Sequence, residues 1–125
     1  MTFGALLKTI RLGKALTLRQ CCEQLRADPS NWSKLERGVN PAPHDIAVLE
    51  KWAVFFGLDA SARLDFFDAA AISRREIPID LASDEVTIAA LPVFFRAARK
   101  ATLTEEQISA LIEDVRRAHS PDKNA

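Results

Sequence analysis

The amino-acid sequence predicts an all-α protein. Five short helices are expected over residues 1–73, a helical extension over residues 77–119, and a frayed tail over residues 120–125. Apolar residues recur at three- and four-residue spacing, which is the period of one helix face. Capping residues and glycine or proline stops separate these apolar runs. No segment has the alternating pattern that would indicate a convincing β-strand.

The first two helices are predicted from their apolar spacing. A helix over residues 2–12, ending near Gly13, is indicated by Phe3, Leu6, Leu7 and Ile10. Thr17 is expected to cap the second helix, LRQCCEQLR. Its Cys21 and Cys22 are the only cysteines and are adjacent, so neither a disulfide scaffold nor a zinc module is expected. Their apolar positions favour small core residues over a redox switch.

The third helix is predicted within the stretch DPSNWSKLERG. Asp28 is a good N-cap, Pro29 suits the first helical position, and Gly38 suits the end of the helix. A fourth helix is expected over residues 45–56, closed by a glycine, and a fifth over residues 59–73.

The segment RREIPID, residues 74–80, is the predicted boundary before the extension. Ser83 is expected to cap a short helix that stops before Pro92, because the residue preceding proline avoids the helical region. A new helix is expected to begin at Pro92. Thr104 and Gln107 have the spacing of a capping box for a last helix. The apolar stripe of that helix is Ile108, Leu111, Ile112 and Val115.

Three adjacent phenylalanine pairs occur along the chain, at residues 55–56, 66–67 and 94–95. Neighbouring helical residues point about 100° apart, so each pair makes a helix apolar over a wide face. Two explanations fit: a central helix buried on several sides, or an interface with a second copy or another protein.

The third helix has a polar surface that raises a functional question. Trp32, Leu35 and Glu36 share one face, which leaves Ser30, Asn31, Ser33, Lys34 and Arg37 for the rest of the surface. A plain solvated helix is one interpretation. The other is insertion into a DNA major groove, where short donors and acceptors meet base edges and cations meet phosphates.

The overall charge and hydrophobicity limit the class of protein. The net charge is zero, but residues 1–75 carry 11 Lys and Arg against 8 Asp and Glu, whereas residues 76–125 carry 6 against 9. This weak basic excess lies with the predicted five-helix part. No apolar run has the form of a signal peptide or a membrane span, so a cytoplasmic protein with no membrane partner is expected.

Two segments resemble the lambda-repressor-like, Xre-type helix-turn-helix family of DNA-binding domains. They are FGALLKTIRLGKALTLRQ at residues 3–20 and SNWSKLERGVNPAPHDIAVLEKWAVFFGL at residues 30–58. The family pattern is matched by Arg11, by Leu16-Thr17 and by SKLERG at residues 33–38. The resemblance implies a five-helix lambda-repressor-like domain that binds double-stranded DNA.

The resemblance also implies roles for individual residues. Thr17, Arg19, Arg37 and Asn40 would approach the phosphate backbone, and Ser30, Asn31, Ser33 and Lys34 would face base edges or nearby phosphates. Arg11 and Glu36 would form a structural ion pair between the first and third helices. Two positions depart from the family pattern. Arg26 replaces the usual turn glycine, which predicts another backbone conformation or an altered turn. Leu18 replaces the usual glutamine, so base reading should rest mostly on the third helix.

The extension resembles the C-terminal part of some small Xre-type repressors, including types encoded beside toxin genes or beside a metallopeptidase that cleaves the repressor. Its helices need a docking surface, and a homodimer is the preferred explanation. Arg96, Arg99 and Lys100 on this extension could be a solvated face, or could bind DNA backbone or an acidic partner. A truncation after Asp80 is therefore expected to give a monomer.

Catalysis is not expected, because His44 and His119 lie apart and the catalytic and phosphate-binding motifs are missing from the sequence. No cofactor or metal is implied. The predicted function is a sequence-specific transcription regulator, a repressor that binds a palindromic operator as a dimer through the helix at residues 29–37. The alternative is an antitoxin that neutralises a toxin with its C-terminal helices and autoregulates its promoter. A toxin or another regulatory protein is accordingly a possible partner.

Overall fold

The computed structural model describes residues 1–100 and 104–118, and within them the fold is all-α, as predicted. The described helices are α1 Phe3–Gly13, α2 Leu18–Leu25, α3 Pro29–Glu36, α4 Ile46–Phe55, α5 Ala60–Ser73, α6 Ile79–Ala82, α7 Glu85–Lys100 and α8 Glu105–Ala118. The predicted frayed tail and His119 lie outside the described residues. None of the described helices is long and apolar enough to cross a membrane.

The predicted helix caps are present at the ends of α2 and α3. The Thr17 hydroxyl accepts the backbone N–H of Gln20, and the Gln20 side chain returns a bond to the N–H of Thr17, which completes a capping box. The Asp28 carboxylate accepts the N–H of Asn31 at 2.9 Å. Gly38, with φ +75°, ends α3 in the left-handed region that glycine adopts without steric cost. Local sequence therefore fixes where both helices begin and where α3 ends.

The core lies among the first five helices, with α1 packed against α3 and α5. Trp32 of α3 lies with its ring 4.7 Å from that of Trp52 and 6.4 Å from that of Phe56. Phe3 of α1 meets Phe66 of α5 at 5.3 Å between ring centroids. Burial of these large aromatic groups supplies much of the hydrophobic stabilisation of the domain.

Cys21 and Cys22 are buried core residues, as predicted. Burial is the main reason that the pKa of the Cys21 thiol rises to about 11, with a further contribution from Cys22. Burial likewise raises the pKa of Cys22. Both thiols therefore stay protonated near neutral pH, and a protonated thiol is a poor nucleophile.

The three phenylalanine pairs have different environments. Phe56 and Phe66 are fully buried, and their neighbours Phe55 and Phe67 are half-buried against the same core. Those two pairs therefore contribute to the core of the first five helices. Phe94 and Phe95 of α7 are each 42% exposed, so the third pair is not part of that core.

The chain divides into two compact units, Met1–Ala82 and a second that begins at Ser83. The first unit includes α6 and the segment at residues 74–80 that was predicted as a boundary. Within the second unit, the predicted capping box at α8 is confirmed by bonds between Thr104 and Gln107 in both directions. Ile108 is partly exposed, and the side chains of Leu111, Ile112 and Val115 lie outside the described residues.

The predicted break at Pro92 is wrong, because α7 continues through it. Proline at this position removes one backbone donor, the one that would otherwise bond to the carbonyl of residue 88. Several alanines on both sides are strong helix formers and favour continuation. The predicted cap at Ser83 is also wrong, since the carboxylate of Asp84 accepts both the N–H and the hydroxyl of Thr87.

Candidate nucleic-acid interface

The turn between α2 and α3 keeps a left-handed conformation although it contains no glycine. Arg26 has φ 55° and ψ 41°. The expectation that its side chain would force another conformation is therefore wrong. The N–H of Ala27 bonds to the carbonyl of Cys22 at 2.9 Å and closes the end of α2, while Lys51 of α4 reaches the carbonyl of Leu25 at 3.4 Å. These contacts hold Arg26 in a conformation that costs an L-residue roughly 1–2 kcal/mol.

Helix α3 buries one face and exposes the other. Trp32 and Leu35 are in the core, and the opposite side of the helix lies at the surface. The residues assigned to DNA from the sequence lie at the start of α2, on α3 and in the loop that follows α3. They are Thr17, Arg19, Ser30, Asn31, Ser33, Lys34, Arg37 and Asn40. Ser33 is half-buried, and the other seven are exposed. The fold thus brings all eight positions to the helix-turn-helix segment and its flanks.

The end of α3 is organised by hydrogen bonds that position two of these side chains. The Ser33 hydroxyl accepts a bond from Nε of Arg37 at 3.3 Å, which orients the guanidinium. The carbonyl of Lys34 accepts the N–H groups of Val39 and Asn40 at 2.9 and 3.3 Å. This folds the loop back onto the helix and places Asn40 beside its last turn.

The attachment of α3 to the rest of the domain is a buried ion pair between Arg11 and Glu36. Nε and Nη2 of Arg11 donate to the two carboxylate oxygens of Glu36 at 2.7 and 2.8 Å. The two side chains are only 8% and 5% exposed. Hydrogen bonding to Glu36 raises the pKa of Arg11, so the guanidinium is charged at all physiological pH values. A bidentate pair of this kind fixes direction as well as distance.

Two further bonds extend this ion pair into a network. Nη1 of Arg11 donates to the carbonyl of Leu16 at 2.8 Å, which ties the loop before α2 to α1. The indole N–H of Trp32 donates to Glu36 at 2.6 Å. The sequence placed Trp32 on the same helix face as Glu36 but assigned no bond between them. Its spacing of four residues from Glu36 is the signal that places the two side chains on one helix face.

Gly4 is a second residue whose importance the sequence did not reveal. A Cβ atom at this position would collide with the carbonyl oxygen of Leu35 and lie 2.8 Å from that of Glu36. Helix α1 therefore approaches the end of α3 more closely than any side chain would allow. A glycine on the buried face of α1, three residues before Leu7, is the available sequence signal.

Other polar groups belong to parts of the chain outside the helix-turn-helix segment. His44 is 3.3 Å from Glu76 at an exposed position, and Arg63 pairs with Glu50 while its guanidinium lies 4.9 Å from the Phe67 ring. In the part of the chain that the structure describes, no three His, Cys, Asp or Glu side chains converge as metal ligands. Arg96, Arg99 and Lys100 are exposed on α7 in the second unit.

Comparison with known proteins gives one match and two negative results. A family model described as a helix-turn-helix domain matches residues 2–66, which include α1 to α4 and the first half of α5. No curated protein matches the chain. No solved structure matches it either.

Proposed function

Because this chain belongs to the helix-turn-helix domain family, we propose that it is a sequence-specific transcription regulator that reads its operator with α3. The observation that carries the proposal is the exposed polar face of α3, held on a rigid support. The network of Arg11, Glu36 and Trp32 fixes the helix from behind. A helix held in one orientation can present its side chains to base edges without first losing conformational freedom on binding.

Base reading is assigned to the first turns of α3. Ser30, Asn31 and Ser33 offer short donors and acceptors that suit the mixed pattern of base edges in the major groove. Lys34, one turn further on, can reach a guanine edge or a phosphate. The half-buried position of Ser33 and its bond to Arg37 support a positioning role for this hydroxyl as well as a base contact.

Backbone contacts are assigned to the residues that flank α3. Arg19 on α2, with Arg37 and Asn40 at the far end of α3, would contact phosphates on either side of the groove. The Thr17 hydroxyl already accepts a bond from Gln20, so its own hydrogen is the part that can be donated to a phosphate. Such contacts fix the register of the protein on the duplex but do not specify sequence.

The regulator is proposed to act as a homodimer on a palindromic operator. One helix-turn-helix domain covers a half-site, and two related by a two-fold axis cover half-sites about 34 Å apart. Dimer binding sums the phosphate contacts of both domains. Occlusion of a promoter by such a dimer is the simplest mode of action, which makes the protein a repressor.

An antitoxin is a second candidate, and the exposed phenylalanines of α7 favour it. Phe94 and Phe95 offer an aromatic surface outside the core, of the kind enriched in protein interfaces. In this alternative the C-terminal helices neutralise a toxin and α3 serves autoregulation. Co-purification of a protein encoded next to the gene, with loss of its toxicity, would favour the antitoxin over the simple repressor.

The test is binding to DNA fragments from the region upstream of the gene, titrated with salt against a random competitor. Wild-type protein is expected to prefer one fragment by roughly 1,000-fold or more, with affinity falling steeply as salt rises. The variant Ser33→Ala with Lys34→Ala is expected to lose that preference, because it removes one base-edge hydroxyl and one cation from the same face.

The matched control is Lys8→Ala, which removes one cation from an exposed position on α1. It should bind the operator nearly as tightly as the wild type. Helicity measured by circular dichroism should be the same in all three proteins. Operator binding that survives the double substitution would contradict the assignment of α3, and a loss of helicity would contradict the placement of these two side chains outside the core.

A further inference from the structure

Helix α7 exposes an apolar stripe of alternating large and small side chains. Val86 and Val93 are 64% and 60% exposed, and Ala90 and Ala97 are exposed between and beyond them. The spacing of these four residues is four, three and four. That is the heptad spacing of a helix that packs along its length against another helix.

The stripe lies on a different side of α7 from the residues that are already covered. Thr87, Leu91 and Ala98 are half-buried. At 100° per residue they lie roughly 110° around the helix from the stripe. The stripe is therefore an additional face, and Phe94 lies between it and the covered side.

The order of side chains in the stripe suits an antiparallel copy of the same helix. In an antiparallel pair, Ala90 of one helix lies opposite Val93 of the other, and Val86 lies opposite Ala97. Each layer then combines a large side chain with a small one, so the layers fill evenly. A parallel pair would place valine on valine and alanine on alanine, which alternates crowded and thin layers.

The charges at the two ends of α7 favour the same orientation. Glu85 lies in the first turn, and Arg96, Arg99 and Lys100 lie in the last part of the helix. An antiparallel pair places the acidic end of each helix beside the basic end of the other. A parallel pair would bring like charges together at both ends.

We propose that two copies of this chain associate through α7, packed antiparallel about a two-fold axis on the stripe Val86, Ala90, Val93 and Ala97. This proposal specifies how the proposed dimeric regulator is assembled. It rests on that proposed function, because an operator with two half-sites requires a dimer. A two-fold interface is self-complementary, and α7 meets this condition in both shape and charge.

The first experiment measures the mass of the full-length chain without DNA, by sedimentation, for the wild type and for Val93→Glu. The wild type should be a dimer. Val93→Glu places two carboxylates close to the axis and should weaken dimerisation by roughly 100-fold. The matched control is Ile88→Glu, which makes a similar change at an exposed position on another side of α7 and should leave the dimer intact.

The second experiment tests the orientation by exchanging end charges. Glu85→Lys and Lys100→Glu should each weaken the homodimer, by roughly five-fold for two exposed pairs. Mixing the two variants should restore dimerisation as a heterodimer, since each basic end then meets an acidic one. The chain carrying both substitutions should form homodimers again. This recovery cannot arise from a folding defect.

The outcomes separate this proposal from the function of α3. A monomeric wild type, a dimer that survives Val93→Glu, or single charge variants that dimerise as well as the wild type would overturn the α7 interface. None of these results depends on DNA. Binding of the α7 variants to a single half-site is measured separately. It should equal that of the wild type if α3 reads DNA, and a loss of this binding would contradict the assignment of DNA reading to α3.

Discussion

Glu36 is the residue on which the orientation of α3 depends most directly. Its carboxylate accepts two bonds from Arg11 and one from Trp32, and all three donor nitrogens lie within 2.8 Å of it. The donors come from α1 and from within α3 itself. A buried charge that is fully paired in this way is retained in one geometry, because any displacement would strand a charge at a cost of several kcal/mol.

Substitution of Gly4 by alanine is expected to destabilise the domain by about 1–3 kcal/mol. The added Cβ would collide with the carbonyl oxygens at the end of α3, which would force α1 and α3 apart. Thermal and urea unfolding measure the change. Gly13→Ala is the matched control, since a Cβ there meets nothing within 4 Å, and it should be neutral or slightly stabilising. Equal effects at the two positions would contradict the close approach.

The unfolding free energy is expected to fall as pH rises from about 9 to about 11, in part through Cys21. The folded state holds the Cys21 proton up to a pKa of about 11, whereas the unfolded thiol releases it near its ordinary value of 9. Stability from this group is therefore complete below pH 9 and is lost through pH 11, by about 2 kcal/mol. Urea unfolding at several pH values measures it, and Cys21→Ala should show a shallower slope. Identical slopes would rule out the contribution.

At the scale of elements, the turn between α2 and α3 shows how a helix-turn-helix can form without its usual glycine. The left-handed conformation is sterically unfavourable for Arg26. It is held by hydrogen bonds around the turn, which come from the end of α2 and from Lys51 of α4. Its side chain is exposed, so nothing about its size is restricted. The contacts around the turn therefore set its backbone geometry, whereas the intrinsic preference of Arg26 opposes it.

Arg26→Gly is expected to raise the free energy of unfolding by up to about 1 kcal/mol. The gain from relieving the left-handed conformation exceeds the extra entropy of glycine in the unfolded chain. Urea unfolding gives the magnitude. Glu23→Gly, within α2 and also exposed, should instead destabilise by roughly 1 kcal/mol. If both substitutions destabilise equally, Arg26 is not strained.

At the scale of the whole molecule, DNA reading and self-association are assigned to different units. The five helices that hold α3 lie in the unit Met1–Ala82, and α7 lies in the second unit. A protein arranged in this way can lose its dimer contacts and keep its fold. Regulation of operator binding through the second unit would then need no change within α3.

A chain that ends at Ala82 is expected to be a folded monomer that binds a half-site but has at least roughly ten-fold lower affinity for the full operator. The truncation keeps the entire core cluster and removes the proposed dimer helix. Two linked half-site contacts bind far more tightly than one. Sedimentation and DNA titration check both points. A truncated chain that stays a tight dimer would place the interface among the first five helices.

The sequence by itself determined the first five helices, the caps of α2 and α3, and the polar face of α3. These features depend on residues within a few positions of one another, as in the capping box of Thr17 and Gln20 or the stop at Gly38. Local spacing and side-chain chemistry are sufficient to predict them. The ion pair of Arg11 and Glu36 was anticipated too, but only through resemblance to a known family, since 25 residues separate its partners.

Only the tertiary structure decided the features that depend on distant contacts or on competition between local preferences. Gly4 is required because another helix passes close to it, and Arg26 keeps a left-handed conformation because α2 and α4 hold it there. Pro92 was predicted to end a helix, yet the surrounding helix formers outweigh the loss of one backbone bond. A local rule gives the conformational preference of one residue, whereas the fold is the conformation with the lowest free energy for all residues together.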